Sequence, residues 1–347
     1  MKTVLFLCGG KSQEHEISLI SAKCVLDALD TSRYTPVIVG IDKHGVWHLQ
    51  ENQDFYTGEF RADKIALKLT NERVSFDPYL GKNGRGRIHA DGRIIEFDVV
   101  FPILHGPFGE DGTLQGMLDI VGIPYVGSGC ASSAVCMDKA LTKAACERLG
   151  IPVAPYRLLL TPSDLASEKA EIQKLKLPLF IKPARLGSSV GITRVTDFSQ
   201  LDGAIAEAFR HDSKVLVEQG ISGREIECGI LGDKASVPGE ILVDAEVGWY
   251  SYDAKYISKT TARTVAPADL PPVLFGEVQE TALRIFRALE CKGLARVDLL
   301  LEHGTNRIYL NEVNTLPGFT PISMYPILWQ ATGVPYSRLI SELIELA

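Results

Sequence analysis

The sequence predicts a fold that mixes α/β and α+β units, with a doubly wound parallel sheet in the N-terminal unit. Three observations predict it. Strand-like and helical stretches alternate near the start, strands become denser toward the end, and 347 residues exceed the needs of one small core. The units are predicted at residues 1–126, 127–216 and 217–347.

The N-terminal unit shows the strand–helix–strand order that parallel sheets require. Its predicted elements are strands at Val4–Leu7, Thr35–Ile41 and Val99–Leu104, and helices at Ser18–Leu29 and Thr113–Val121. Residues 50–95 are polar and irregular, and only a turn is predicted there, at Asn83–Arg87.

Apolar runs and turn residues define the elements of the other two units. A helix over Ser132–Leu149 should end at Gly150, because Pro152 follows shortly after. Further helices are predicted at Ala166–Lys174 and Leu201–Phe209, and two more close the chain. The predicted strands are Leu158–Leu160, Leu179–Lys182, Ile192–Val195, Val215–Glu218, Glu225–Leu231, Glu240–Val243, Leu294–Leu301 and Arg307–Val313.

The composition excludes several classes of function. A net charge of −7 without a long basic run argues against binding to nucleic acid or to an anionic membrane. No apolar run approaches the roughly 18 residues that a membrane span needs, and the apolar start is interrupted too early for a signal peptide. The seven cysteines are scattered without a CxxC pair, which favours a reducing compartment, the cytoplasm.

The glycine turn after the first strand does not match a known nucleotide fingerprint. Gly10-Lys11-Ser12 resembles the end of a P-loop, but Leu5 occupies the position where that motif needs glycine. The GxGxxG pattern is also missing from this turn, which weakens a dehydrogenase interpretation. Two interpretations remain for the turn: a plain strand–helix connection, or a place that holds a small polar substrate.

The strongest candidate site lies in two apolar strands near the C-terminus. Arg296 and Asp298 are two residues apart, so their side chains share one face of a strand, and Glu312 and Asn314 repeat this spacing. If the strands pair as a hairpin, two carboxylates, an amide and an arginine meet. Such oxygen ligands suit Mg²⁺ held together with nucleotide phosphates. The alternative, a solvated charged face, is disfavoured because the flanking residues are apolar and buried carboxylates need a cation.

A second candidate is the loop rich in glycine and serine that follows Lys182. The backbone N–H groups and hydroxyls of Gly187, Ser188 and Ser189 can cover a triphosphate, while Lys182 neutralises charge during phosphoryl transfer. Lys139 offers a second cation on the preceding helix. Such a loop is often only a turn, but the metal face downstream favours a phosphate lid.

A third candidate follows the strand that ends at Glu218. Glu218 fits as an acceptor for the ribose hydroxyls or the adenine edge, and Glu225 fits as a partner for the ribose. Spacing alone leaves an exposed turn as an open alternative.

These motifs, in this order, resemble the ATP-grasp fold and, within it, the D-alanine–D-alanine ligase family. The resemblance covers almost the whole chain and implies three domains, of which two α+β domains sandwich ATP. The segments that carry it are 9–18 (GGKSQEHEIS), 104–116 (LHGPFGEDGTLQG), 137–139 (MDK), 182–191 (KPARLGSSVG), 252–256 (YDAKY), 296–298 (RVD) and 311–318 (NEVNTLPG).

The resemblance implies that ATP and two D-alanines give the dipeptide, ADP and phosphate, for peptidoglycan precursors. The first D-alanine carboxylate would attack the γ-phosphate to form an acyl phosphate. Asp298, Glu312 and Asn314 would hold Mg²⁺ (two ions, with Mn²⁺ as a substitute) to balance charge in that step. The amine of the second D-alanine would then attack the acyl carbon, with Arg296 and the Gly318 N–H stabilising the oxyanion.

The resemblance also implies how the substrates are held. Glu14 would pair with the ammonium of the first D-alanine, with His105 nearby, while Lys255 and Ser323 would hold the carboxylate of the second. Ser188, Tyr256 and Glu14 would form a hydrogen-bonded set between lid loop and substrate. Gln219 and Ile221 would join Glu218 and Glu225 around ATP, although many relatives carry lysine at the position of Gln219.

A lid that excludes water is expected, because an exposed acyl phosphate hydrolyses. The strand Arg224–Leu231 and the loop 246–266 are the predicted lid elements. The resemblance further implies a homodimer that acts on small molecules, without nucleic acid or membrane partners.

Three alternatives remain. The nearest is a related ATP-grasp ligase that makes D-alanyl-D-lactate or D-alanyl-D-serine; by the resemblance, Tyr256 favours an amine nucleophile. A non-catalytic nucleotide-binding regulator would have lost the metal carboxylates or the lid tyrosine, and this sequence keeps them. A dehydrogenase would need a dinucleotide fingerprint that the sequence does not show.

Overall fold

A computed structural model describes residues 1–51, 53–187, 189–243 and 262–347 of the chain. In these ranges the strands are β1 (Lys2–Gly9), β2 (Tyr34–Ile41), β3 (Trp47–Gln50), β4 (Tyr56–Gly58), β5 (Ile65–Leu67), β6 (Val74–Phe76), β7 (Gly86–Ala90), β8 (Arg93–Phe97), β9 (Val99–Ile103), β10 (Tyr156–Leu159), β11 (Leu179–Pro183), β12 (Thr193–Val195), β13 (Val215–Gln219), β14 (Gly223–Leu231), β15 (Lys234–Ala235), β16 (Gly239–Val243), β17 (Ala262–Val265), β18 (Leu294–Glu302) and β19 (Ile308–Asn314). The helices are α1 (His15–Asp27), α2 (Thr113–Val121), α3 (Cys130–Met137), α4 (Lys139–Arg148), α5 (Asp164–Ile172), α6 (Leu201–His211), α7 (Pro272–Ala288), α8 (Met324–Ala331) and α9 (Tyr336–Glu345).

The first sheet has the strand order β3-β2-β1-β9 and confirms the predicted parallel core of the N-terminal unit. β1 pairs in parallel with β2 and β9, and Val4 to Cys8 are fully buried, as expected for a strand with neighbours on both sides and both faces covered. β3 pairs antiparallel with β2 and forms one edge. Parallel pairing brings the ends of β1 and β9 together, which places the segments after Gly9 and after Ile103 side by side.

Residues 50–95 form more structure than the sequence predicts. β4 and β5 make a small hairpin, and β6, β7 and β8 make a three-stranded antiparallel sheet. The turn predicted at Asn83–Arg87 is correct only in its first part, because β7 already begins at Gly86. These strands are short, so their alternation is too brief to detect in the sequence.

The second sheet is antiparallel, with the order β10-β13-β11-β12, and α5 and α6 contact it. The single helix predicted over Ser132–Leu149 is wrong. Asp138 has an extended backbone (φ −93°, ψ 102°) and divides the segment into α3 and α4. Its carboxylate accepts hydrogen bonds from the N–H groups of Ala140 (3.0 Å) and Leu141 (3.1 Å), so it caps α4.

The third sheet has the order β17-β16-β14-β18-β19, with β15 paired to β14. α7 covers this sheet through buried residues such as Leu274, Val278 and Ile285, and the sequence analysis missed this helix. The prediction that Arg224–Leu231 is a lid strand is wrong. β14 lies inside the sheet, hydrogen-bonded to β16 on one side and to β18 on the other, so it cannot open independently.

The two closing helices are confirmed as α8 and α9. Their apolar faces join the core of the first sheet, in which Phe319 packs edge-on against Phe101 at 6.1 Å between ring centroids. This packing brings the segment that follows β19 against the ends of β1 and β9. Over the described ranges, none of the helices combines the length and the hydrophobicity that crossing a bilayer would require.

Candidate active site

The hairpin predicted near the C-terminus is confirmed. β18 and β19 are antiparallel neighbours, with Arg296 opposite Asn314 and Asp298 opposite Glu312. An irregularity in the pairing follows Asp298. The four side chains therefore lie together on the pleated surface, as a spacing of two on both strands requires.

Arg296 is a cation that contacts carboxylates on this face. Its Nε lies 2.8 Å from Asp298 Oδ1 and 2.9 Å from Glu227 Oε2, and its Nη2 lies 2.7 Å from Asp298 Oδ2. Burial works to lower the pKa of Arg296, but Asp298 and Glu227 hold that pKa well above its usual value. The guanidinium is therefore a permanent, oriented positive charge at the cleft.

The donor set beside Arg296 fits a divalent cation. The Asn314 amide nitrogen donates to Asp298 Oδ2 at 2.9 Å, which leaves the amide oxygen as the ligand atom, and Glu312 adds a second carboxylate. Glu227, Asp298 and Glu312 bring three carboxylates together, and Arg296 and Lys139 contact them. Such a carboxylate-rich, all-oxygen set suits Mg²⁺ or Mn²⁺.

Within the described ranges, no three His, Cys, Asp or Glu side chains cluster as a metal cage. A cation here would therefore take further ligands from phosphate oxygens or water, as Mg²⁺ commonly does at nucleotide sites.

The break between α3 and α4 positions Lys139. Lys139 is the first residue of α4, and its backbone N–H donates to Ala184 O at 2.9 Å. Its Nζ donates to Leu186 O at 2.7 Å and lies 3.3 Å from Glu312 Oε2. One lysine thus connects the loop after β11 with the carboxylate face of β19.

Lys182 and Glu218 lie on the neighbouring strands β11 and β13. Lys182 Nζ donates to Glu218 Oε1 at 3.0 Å, while Lys143 Nζ lies 2.9 Å from Glu218 Oε2. Burial works to raise the pKa of Glu218, but the two lysines hold it below its usual value, so the carboxylate is ionised. Sequence reasoning did not identify Lys143, whose spacing of four from Lys139 on α4 was the available signal.

The other nucleotide candidates follow Lys182 and Glu218 along the chain. Gly187 lines the cleft, and a Cβ added there would lie 3.4 Å from Glu14 Oε2, so the loop reaches the N-terminal unit. Ser189 has a left-handed backbone (φ 60°). Ser188 lies outside the described residues.

Gln219 is the last residue of β13, and Ile221 and Glu225 follow it along the chain. Gln219 Oε1 accepts a hydrogen bond from Lys176 N at 2.9 Å. The Gln219 side chain therefore contacts the segment just before β11. Ile221 is half-buried in the connection to β14, and Glu225 is half-buried on β14 opposite Leu300.

Glu14 and His105 approach the cleft from the ends of β1 and β9. Glu14 immediately precedes α1 and lines the cleft together with His105. His105 Nδ1 lies 3.0 Å from Leu316 O, and Nε2 lies 3.0 Å from Ser21 Oγ. Burial lowers the pKa of His105, so the ring is neutral, with Nδ1–H donating to the carbonyl and Nε2 accepting from the serine.

Glu110 is a second residue that sequence reasoning missed, although it lies within one of the motifs. It accepts hydrogen bonds from the N–H groups of Gly106 (2.6 Å) and Leu316 (3.0 Å). Burial, followed by the charge of Glu14, raises its pKa to about 8. Glu110 therefore connects the loop after β9 with the segment after β19. Glu227, which lies opposite Asp298 on β14, was also missed; its spacing of two from Glu225 was the signal.

Gly318 and Ser323 form the remaining wall of the cleft. A Cβ on Gly318 would come within 2.7 Å of Ser323 Oγ, so any larger residue would require the Ser323 side chain to move. Ser323 precedes α8, and its Oγ accepts from Thr320 N at 3.0 Å. The cleft that these segments enclose has an empty volume of about 1020 Å³, counting its open mouth.

Part of the predicted site cannot be placed. Lys255 and Tyr256 lie outside the described residues, as does most of the lid loop predicted at 246–266. The described end of that segment is not a loop, because β17 (Ala262–Val265) pairs with β16 at the edge of the third sheet.

Comparison with known proteins identifies the family. Residues 3–128 match the family model described as D-ala D-ala ligase N-terminus, and residues 145–345 match the one described as D-ala D-ala ligase C-terminus. The chain belongs to the D-alanine–D-alanine ligase family. A D-alanine–D-alanine ligase from Shouchella clausii is 46% identical over 355 residues, which cover 100% of this chain and 94% of that relative.

Solved structures of D-alanine ligases show the same fold. The D-alanine–D-alanine ligase from Coxiella burnetii has a TM-score of 0.83 and 35% identity, covering 99% of this chain and 93% of that one. The VanG D-Ala:D-Ser ligase from Enterococcus faecalis has a TM-score of 0.84 and 35% identity, covering 99% of each chain. The predicted ATP-grasp fold is therefore confirmed.

Proposed function

We propose that this chain uses ATP to join two D-alanine molecules through an acyl phosphate, releasing ADP and phosphate. Membership of the D-alanine–D-alanine ligase family supports an ATP-dependent ligase, and the names of the relatives favour D-alanine as both substrates. The observation that carries the proposal is the face formed by Arg296, Asp298, Glu312 and Asn314, which Lys139 joins to the loop at Leu186.

The first step is phosphoryl transfer to the carboxylate of the first D-alanine. Asp298, Glu312 and Asn314 would hold Mg²⁺ (two ions, or Mn²⁺), which supplies charge neutralisation at the phosphates. Lys139 and Lys182 would add further positive charge near the transferring group. Because transfer of this kind depends on position and electrostatics, fixed cations are the main contribution that a protein makes.

The second step is attack of the second D-alanine amine on the acyl phosphate. Arg296 and the Gly318 N–H would stabilise the oxyanion that forms at the acyl carbon. The role suits Arg296, because its contacts with Asp298 and Glu227 fix the guanidinium before the reaction begins.

The substrates would lie between the N-terminal unit and the hairpin face. Glu14 would accept the ammonium of the first D-alanine, with neutral His105 beside it. Ser323 would help to hold the carboxylate of the second D-alanine. The roles of Lys255, Tyr256 and Ser188 remain predictions from the sequence.

The nucleotide would lie between the second and third sheets, with the loop containing Gly187, Ser188 and Ser189 over its phosphates. Ionised Glu218 accepts hydrogen bonds only, which matches the exocyclic amine of adenine or ribose hydroxyls. Glu225 would take the ribose, and the backbones of Gln219 and Ile221 would border the base.

The alternative is a ligase with a different second substrate. The D-Ala:D-Ser ligase among the solved structures shows that this fold accommodates D-serine in that protein. Phosphate release should be measured with D-alanine alone and with added D-serine or D-lactate. We expect release with D-alanine alone; no release under that condition would overturn the assignment.

We also propose that the enzyme works in the cytoplasm as a homodimer. The free thiols of its seven cysteines support a reducing compartment. The dimer follows from the family resemblance alone, and light scattering at working concentrations would test it.

A further inference from the structure

Lys143 is a buried charge that the mechanism above does not use. It lies four residues after Lys139 on α4, so both side chains are on one face of the helix. Lys139, Lys143 and Lys182 converge on two carboxylates: Lys139 pairs with Glu312, and the other two lysines share Glu218.

The exposed fractions of the three side chains increase from the protein interior toward the cleft. The side chain of Lys143 is 1% exposed, that of Glu218 is 3% exposed and that of Lys182 is 11% exposed. Each lysine takes one oxygen of the carboxylate, Lys143 at Oε2 and Lys182 at Oε1. The inner lysine is almost completely buried, whereas the outer one is closer to the space proposed for phosphates.

This arrangement matters when a nucleotide binds. If Lys182 turns to the phosphates, it weakens its pair with Glu218, and a buried carboxylate without a counter-ion is costly. A second ammonium that stays on Oε2 removes this cost. We propose that Lys143 is a positioning residue that remains the counter-ion of Glu218, so that Lys182 can engage the phosphates of ATP. The inference rests on the nucleotide site proposed above.

The first test is Lys143→Met, which keeps an unbranched side chain and removes the charge. Lys182 would then be the remaining lysine on Glu218, so turning it to the phosphates would cost binding energy. We expect the KM for ATP to rise by about tenfold or more, since stranding one partner of a buried pair is costly. The KM for D-alanine, and kcat at saturating ATP, should change by less than about twofold. A KM for ATP within twofold of the wild-type value would overturn the proposal.

A double variant separates charge from packing. In Lys143→Met/Glu218→Gln the stranded carboxylate is gone, so Lys182 is released. ADP binding, measured by calorimetry, should then equal that of Glu218→Gln alone within about twofold. A double variant that binds ADP clearly more weakly than Glu218→Gln would show that Lys143 acts through packing and would overturn the proposal. This comparison stands even where Lys143→Met alone does not fold.

Two further variants distinguish failure of the inference from failure of the nucleotide site. Arg85→Met breaks a half-buried pair with Asp98 in the N-terminal unit and should leave the KM for ATP unchanged. Lys182→Met should raise it. If Lys182→Met has no effect, the nucleotide site and the inference both fail. If Lys182→Met weakens ATP binding and Lys143→Met does not, only the inference fails.

Discussion

At the scale of single residues, burial sets the chemistry of the cleft. Glu110 illustrates this, because it is a carboxyl that two backbone N–H groups hold and that burial nevertheless keeps protonated near neutral pH. Its pKa of about 8 means that the cleft contains one fewer negative charge than the sequence suggests. The negative charge is then concentrated on the hairpin face, at Asp298 and Glu312, where it can attract a cation.

Glu110 predicts a pH dependence of stability. Its pKa is raised from 4.5 in the unfolded chain to about 8 in the fold, so the folded state binds a proton that the unfolded state releases. The free energy of unfolding should therefore fall as pH rises from about 5 to about 8, by up to roughly 1.4 kcal/mol per unit. Denaturant unfolding of the wild type and of Glu110→Gln at several pH values would measure this.

Glutamine cannot accept from both N–H groups, so the variant should be about 1 kcal/mol less stable near pH 5, where Glu110 is protonated in the fold, and this difference should shrink as pH rises. Its slope against pH should therefore be flatter. Equal slopes in the two proteins would show that Glu110 is ionised throughout.

Glu312 is the residue whose charge the proposed reaction needs most directly. Glu312→Gln keeps the side-chain shape but removes a proposed metal ligand and the partner of Lys139. We expect turnover to fall by about a thousandfold or more, since phosphoryl transfer depends on the cations around the phosphates. The melting temperature should change by only a few degrees. Glu302→Gln, at the far end of the same hairpin, is the matched control and should retain turnover.

At the scale of elements, the break between α3 and α4 is a functional feature. Asp138 caps α4 and also accepts from Lys214 Nζ at 2.6 Å, which fixes the helix start that carries Lys139. Asp138→Ala should cost about 1–2 kcal/mol of stability and raise the KM for ATP. Ser163→Ala is the control, because Ser163 precedes α5 without a side-chain capping bond and should cost far less. Equal losses in both variants would contradict the role of the cap.

Continuous apolar strands were predictable, whereas one long amphipathic helix and one break between helices were not. Strands such as β1 and β9 were identified because both of their faces are buried, which gives an unbroken run of apolar residues in the sequence. α7 was missed although Leu274, Val278 and Ile285 recur at helical spacing, because the helix lies within a strand-rich region. The division at Asp138 was missed because the residues on both sides favour helix. Only the side-chain hydrogen bonds of Asp138 to the backbone start a new helix there.

The site was predictable where its residues share an element. Arg296 with Asp298, and Glu312 with Asn314, have the spacing of one strand face, and the structure brings them together. Lys143, Glu110 and Glu227 were not identified, because each acquires its role from partners far away in sequence. Their spacing from neighbouring charged residues was a local signal, but that spacing does not show which distant residues they contact.

At the scale of the whole molecule, the cleft exists because the two ends of the chain pack together. Phe319 is 2% exposed and contacts the rings of Phe101, Tyr325 and Tyr336 at centroid distances of 6.1, 5.7 and 6.4 Å. It thereby joins the N-terminal sheet to the closing helices. The neighbouring backbone at Leu316 carries the contacts to His105 and Glu110.

Phe319→Ala should therefore damage both stability and the substrate site. Removing a buried aromatic ring should cost about 3–5 kcal/mol, and the segment from Leu316 to Gly318 should lose its fixed position against the N-terminal unit. We expect the KM for D-alanine to rise more than the KM for ATP, because the nucleotide candidates lie on β11 and β13, away from this core. Phe60→Ala, at a ring that is 43% exposed, should leave both KM values unchanged. If Phe319→Ala lowered stability but left the KM for D-alanine as in the wild type, the ordering of the substrate site would not depend on this packing.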